Sequence, residues 1–274
     1  MKKIVLSLII STLALMPVYA KADTTSIDYL KSKKHIAIMN PIAESLAQQI
    51  IKKSLKKEIG KGRYKVKFEG YTLGSMKKGI FKTLEIHGKN VEIEDIKINY
   101  LNLKTLTDYN WIDFNESPVK IKSDMTFAYE LELTEESLNK TLEKKDYQKI
   151  LEKVNTRAYP LFAMHNVKIK IKHNRVYIIM DYSLPLASSK KRTFMVSTDF
   201  KVESGKIKAN NVLIDRAYGN LPLDKVINLI NLLDPLSFTL DILKEDHCKG
   251  QVESVKIEDN KIQIDGKMFI IKGE

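Results

Sequence analysis

Around residues 121–133 the chain alternates apolar and polar positions. Ile121, Met125, Phe127, Tyr129, Leu131 and Leu133 fall on one side; Lys122, Asp124, Thr126, Ala128, Glu130 and Glu132 fall on the other. Period two is the mark of a strand with one apolar face. The alternation stops at Thr134, a good helix N-cap, and Glu135 and Glu136 follow where the helix dipole favours negative charge. Leu138 and Leu142 then recur at helical spacing. The pattern predicts a strand over 121–133 running directly into an amphipathic helix that reaches about residue 158, with a break near Asp146. At ~3.4 Å per residue such a strand spans roughly 40–45 Å. It needs neighbours of similar length to pair its backbone groups.

The rest of the chain supplies candidates. Asn40-Pro41 opens a helix that ends at Gly60, with Ile42, Leu46 and Ile50 on one stripe and Ile51, Leu55 and Ile59 on the next. Tyr64 to Glu69 alternates as a strand, and Gly70, Gly74 and Gly79 mark turns in an irregular stretch. Leu84, Ile86, Val91 and Ile93 read as one phase and Ile96, Ile98 and Tyr100 as the other, which predicts a β-bulge at Glu94-Asp95. A second phase change is expected at Asn210-Asn211. Residues 105–118 read as a loop carrying Tyr109, Trp111 and Phe114. Hairpins are predicted through His173-Asn174, Ser204-Gly205 and Asp259-Asn260. Leu223, Val226, Ile227, Ile230 and Leu233 form the stripe of another helix, ended by Asp234-Pro235 and followed by a strand over 236–242. No linker divides the pattern. The expected fold is α+β: one elongated domain with a long, mostly antiparallel sheet around two or three amphipathic helices.

The N-terminus adds an address. Lys2 and Lys3 precede an apolar run from Ile4 to Met16, and Ala20-Lys21-Ala22 has the small-x-small form of a cleavage site. Residues 1–22 are read as a signal peptide, 23–39 as a loose lead-in and 40–274 as the domain of an exported protein, in the periplasm or cell envelope. The net charge of +12 comes almost wholly from lysine. It fits compositional bias, or a surface facing anionic lipid, better than a nucleic-acid footprint. Cys248 is the only cysteine, so neither an intramolecular disulfide nor a cysteine metal cluster can form. The five histidines have no ligand spacing, and neither a nucleophile elbow nor a phosphate-binding glycine loop occurs. The acid pairs Glu94/Asp95 and Glu135/Glu136 have structural readings, at a bulge and in a first helical turn. Lys190-Lys191-Arg192 reads as a solvated hairpin end. The expectation is a protein that is not an enzyme and uses no cofactor or metal.

Leu133-Thr134-Glu135-Glu136-Ser137-Leu138-Asn139 resembles the L-T-E-x-x-L-N strand-to-helix signature of the LmeA-like phospholipid-binding family. Gly79 to Ile86 with Val91-Glu92-Ile93, then Leu221-Pro222-Leu223, Asp234-Pro235-Leu236 and a closing hairpin, are similar to other parts of that family in the same order. The resemblance spans roughly Ile42 to Ile271. It implies a fold similar to tubular lipid-binding (TULIP) proteins, with a long curved sheet wrapped on helices around an acyl-chain tunnel. The implied role is phospholipid binding, with carriage of lipid between or along membranes. The expected lining is Leu46, Ile50, Met125, Phe127, Tyr129, Leu131, Leu138, Leu142, Ile227 and Ile230. The expected membrane contact is Tyr109, Trp111 and Phe114, since such rings favour the bilayer interface. The expected partners are a phospholipid or other two-chain lipid and an anionic membrane surface, with no nucleic acid. The alternative is a non-enzymatic envelope protein with a fully packed core that binds a protein or glycan.

Overall fold

A computed structural model describes residues 39–58, 60–93, 96–113, 120–158, 163–184, 188–214 and 248–272. The predicted signal peptide, the helix containing Ile227 and Ile230, the strand at 236–242 and Phe114 lie outside the described residues. In chain order the elements are α1 (Met39–Glu58), β1 (Arg63–Glu69), α2 (Leu73–Lys77), β2 (Ile80–Phe81), β3 (Thr83–Ile93), β4 (Ile96–Thr105), β5 (Asn110–Asp113) and β6 (Lys120–Ile121). Then come β7 (Met125–Thr134), α3 (Glu135–Leu142), α4 (Lys145–Ala158), β8 (Ala163–Lys172), β9 (Arg175–Leu184), β10 (Ser188–Glu203), β11 (Lys206–Ile214), β12 (Cys248–Glu258) and β13 (Lys261–Ile270). The protein is α+β, mostly antiparallel sheet with a few helices.

A six-stranded sheet has the order β1-β3-β4-β7-β13-β12, a four-stranded sheet the order β11-β10-β9-β8, and β2-β5-β6 form a small third sheet. The organising strand sits inside the first sheet, and Met125, Phe127, Tyr129, Leu131 and Leu133 all face the core. It is ten residues long, not thirteen. Ile121 belongs to β6. Between the two strands Ser123 Oγ accepts from Trp111 N–H and Asp124 Oδ1 accepts from Lys272 N–H, so polar side chains occupy the gap in the ladder. The hand-over to helix is as expected. Thr134 caps α3 by accepting from Ser137 N–H, and Ser137 Oγ accepts in return from Thr134 N–H. The helix then breaks at residues 143–144 before α4.

Three expectations need correction. The phase change at Glu94-Asp95 marks a hairpin, not a bulge. Ile93 and Ile96 are cross-strand partners, and a two-residue connection reverses the parity of the strand after it. The real interruption is at Asn90, where φ is +52° and two consecutive residues, Lys89 and Asn90, face outward. That shift puts Leu84 and Ile86 on the same side as Val91 and Ile93, although their spacing is odd. Residues 105–118 are not simply a loop, because Trp111 lies in β5, paired with Ile80. The stretch 70–79 contains a short helix, α2, capped by Thr72.

Other signals hold. The register between β10 and β11 shifts beside Asn211, whose φ is +48°, as the second phase change implied. His173 and Asn174 both have positive φ, as do Ser204 and Gly205, and each pair joins two antiparallel strands. The turn between β12 and β13 bridges the two large sheets, with Asn260 N–H donating to Ile171 O and Asp259 Oδ1 accepting from His173 N–H. One core fills the space between the inner faces of the large sheets. Helix α1 contributes Ala47, Ile51 and Leu55, and the other helices contribute Leu138, Leu142, Tyr147 and Leu151.

Candidate functional site

The expected lining divides into three groups. Met125, Phe127, Tyr129 and Leu131 are 0–3% exposed, and they share one cluster with Leu138 and Leu142 from α3. They face a packed interior, not an open groove. Tyr129 sets the local packing: its ring lies across Gly266 on β13 and its hydroxyl donates to Gln251 O at 3.4 Å. Burial pushes the Tyr129 phenol up to about 12, helped by Asp265 and Glu253. Ile50 is partly exposed. Leu46 is not interior, being 58% exposed. The reason is the rotation of α1, whose Ala47-Ile51-Leu55 stripe faces the sheet and carries Leu46 and Ile42 away from it. Ile227 and Ile230 lie outside the described residues.

The apolar surface that stays open is elsewhere. On β10 and β11, Phe200, Val202, Ile207, Val212 and Ile214 pack against the core but remain partly exposed, as do Val255 and Ile257 on β12. Register places them on the inner faces. Val202 opposes Ile207, Val196 opposes Ile214, Val255 opposes Ile264 and Ile257 opposes Ile262, and the inward partners Val196, Ile264 and Ile262 are fully buried. Among the described residues, strands β11 and β12 are the edges of their sheets. Gly205 O accepts from Val252 N–H at 2.9 Å, holding the β10–β11 turn against β12. Strand β12 therefore packs on β10 and the β10–β11 turn, and the partly exposed apolar side chains of β10, β11 and β12 make an apolar seam there. Sequence reasoning found these strands but not the seam, since alternation reports a face and not whether that face is covered at a sheet edge. The available signal was the Asn210-Asn211 phase change, which keeps Ile207 and Ile214 on one side.

The expected membrane-contact residues lie beyond the end of the six-stranded sheet where β3 and β7 begin. Tyr71 and Ile80 form a cluster apart from the main core, with Tyr109 and Trp111 packed against them and partly exposed. The Tyr71 hydroxyl donates to Asp108 O. Burial is the first cause of the raised Tyr71 and Tyr109 phenols. Trp111 Nε1 is buried without an acceptor among the described residues. Phe114 lies outside the described residues.

At the opposite end, a cavity of about 370 Å³ opens between the β3–β4 hairpin and α3, with Asn90, Glu92, Lys97, Asn99, Ser137 and Lys140 in its wall. Its carboxylates are already engaged, Glu92 with Lys144 and Glu136 with Lys140. Among the described residues no cluster of His, Cys, Asp and Glu could hold a metal ion, and no helix is long and apolar enough to cross a membrane. Comparison with protein-family models, with curated proteins and with solved structures returned no match.

Proposed function

We propose that this is an exported, non-enzymatic lipid-binding protein of a bacterial cell envelope that shields acyl chains in the seam where β12 packs on β10 and β11 and carries lipid between or along membranes. The observation that carries the reading is the set of partly exposed apolar side chains Phe200, Val202, Ile207, Val212 and Ile214 on β10 and β11 together with Val255 and Ile257 on β12. An acyl chain gains about 0.8 kcal/mol for each methylene removed from water, so a lipid in transit needs an apolar surface of this kind. The protein needs no covalent step and no cofactor. Lipid partitions into the seam, and the TULIP-like arrangement implied by Leu133 to Asn139 is the fold suited to it. The burial of Met125, Phe127, Tyr129 and Leu131 favours the second reading, a packed envelope protein that binds a protein or glycan.

Extraction of protein recovered from its host, followed by mass spectrometry, separates the two. The first reading predicts a two-chain lipid at about one per chain. It also predicts that Ile207→Asp sheds that lipid with little loss of thermal stability, because the site is already partly hydrated. Wild-type protein that yields no lipid would decide for the packed-core reading.

A further inference from the structure

Among the described residues the large apolar side chains left exposed are Ile42, Leu46, Leu106, Leu213 and Ile271. All but Leu213 lie at one end of the six-stranded sheet. Glu69, Thr83 and Thr105 mark that end on β1, β3 and β4, and Met125 and Ile270 mark it on β7 and β13. Leu106 follows β4 directly and its N–H donates to Thr126 O; Ile271 follows β13 directly. Helix α1 begins at the same end, because Glu44 accepts from Gly70 N–H at 3.0 Å and Gln48 donates to Phe68 O. The Tyr71–Tyr109–Trp111 cluster occupies the connections there.

These residues spread over four strand spacings, about 19 Å from β1 to β13. A spread of separate apolar side chains suits a plane better than a single inserted peptide. Tyr and Trp among them suit the headgroup level of a bilayer. Described residues 69–82, 104–113 and 120–124 carry six lysines against four acids, and one of those acids, Glu69, is paired with Lys82 at 2.7 Å. That balance complements anionic headgroups.

We propose that this end is a docking face for an anionic bilayer, with Ile42, Leu46, Leu106 and Ile271 entering the boundary between headgroups and acyl chains. The proposal rests on the lipid-binding reading for its purpose but on different residues. The test compares the full chain with a Leu46→Gln/Leu106→Gln/Ile271→Gln variant and with Leu213→Gln. Each is mixed with vesicles of phosphatidylcholine and phosphatidylglycerol that contain a photoactivatable phosphatidylcholine. The expected result is labelled peptides around 41–49, 104–113 and 268–272, with labelling there reduced roughly tenfold or more in the triple variant and unchanged in Leu213→Gln. Labelling confined to other segments, or equal in all three proteins, would overturn the proposal. A soluble dimer that the triple variant dissociates, with no labelling at this end, would assign the face to a second copy instead. Because the readout is position, it is independent of whether the protein recovered from its host holds lipid in the seam. Lipid without end labelling sinks the docking face alone, and end labelling without lipid sinks the seam alone.

Discussion

Gly266 is the residue on which the middle of the core turns. A Cβ there would sit 2.2 Å from Gln251 O and 2.4 Å from the Tyr129 hydroxyl, neither of which can withdraw without disturbing two strands. Gly266→Ala should therefore cost about 1–3 kcal/mol, read from urea unfolding; an unchanged midpoint would mean that the Tyr129 ring does not lie there. The neighbouring pair Phe127 and Ala128 tests the facing of β7. Phe127 is 1% exposed, so Phe127→Ala should cost about 3–5 kcal/mol. Ala128 opposes Lys104 and Lys267 on the outer face, so Ala128→Glu should stay within about 0.5 kcal/mol. Equal effects would reverse the assignment. Single residues were legible in the sequence where their signal is local: the Thr134 cap and the His173-Asn174 turn need only their neighbours. Leu46 was not, because two adjacent apolar stripes on α1 compete for one buried face, and only packing against β1 selects Ile51 and Leu55.

At the scale of elements, parity carried most of the fold. Strands β8 to β11 and the β12–β13 hairpin follow from alternation and turn residues alone. Parity failed at Glu94-Asp95, because a bulge and a two-residue hairpin connection shift phase alike, and only cross-strand pairing tells them apart. The element that locks this hairpin to the helices has a pH signature. Lys144 on the α3–α4 connection pairs with Glu92 on β3 at 2.8 Å, and that hydrogen bond is the first cause holding the Glu92 carboxyl below its ordinary value of 4.5. A depressed folded pKa gives stability that is present above the unfolded value and lost as pH falls through the folded one. Both side chains keep a quarter or more of their surface in water, so the contribution is under about 1 kcal/mol. Glu92→Gln should lower stability slightly at neutral pH. It should also flatten the fall in melting temperature below pH 4.5. An acid profile identical to wild type would show that the pair contributes nothing.

On the scale of the whole molecule, the described residues place different surfaces at different sites. Exposed apolar and aromatic groups sit at one end, a polar cavity at the other, and partly exposed apolar side chains where β12 packs on β10 and β11. Only the aromatic group of Tyr109 and Trp111 had a signal in the sequence; the rest of this zoning depends on which strands become edges and which ends of the strands coincide. The central claim is that acyl chains lie in the seam and not against β7. Methyl NMR of the protein loaded with a phospholipid carrying a spin label on its acyl chain tests that directly. The account predicts the strongest attenuation at the methyl signals of Ile207, Val212, Ile214, Val255 and Ile257, a weaker effect at the strand partners Ile264 and Ile262, and none at Ile80 and Ile112 beyond the end of the six-stranded sheet. Attenuation centred on Leu131 and Leu133, or none at the seam in protein that has taken up the label, would contradict it.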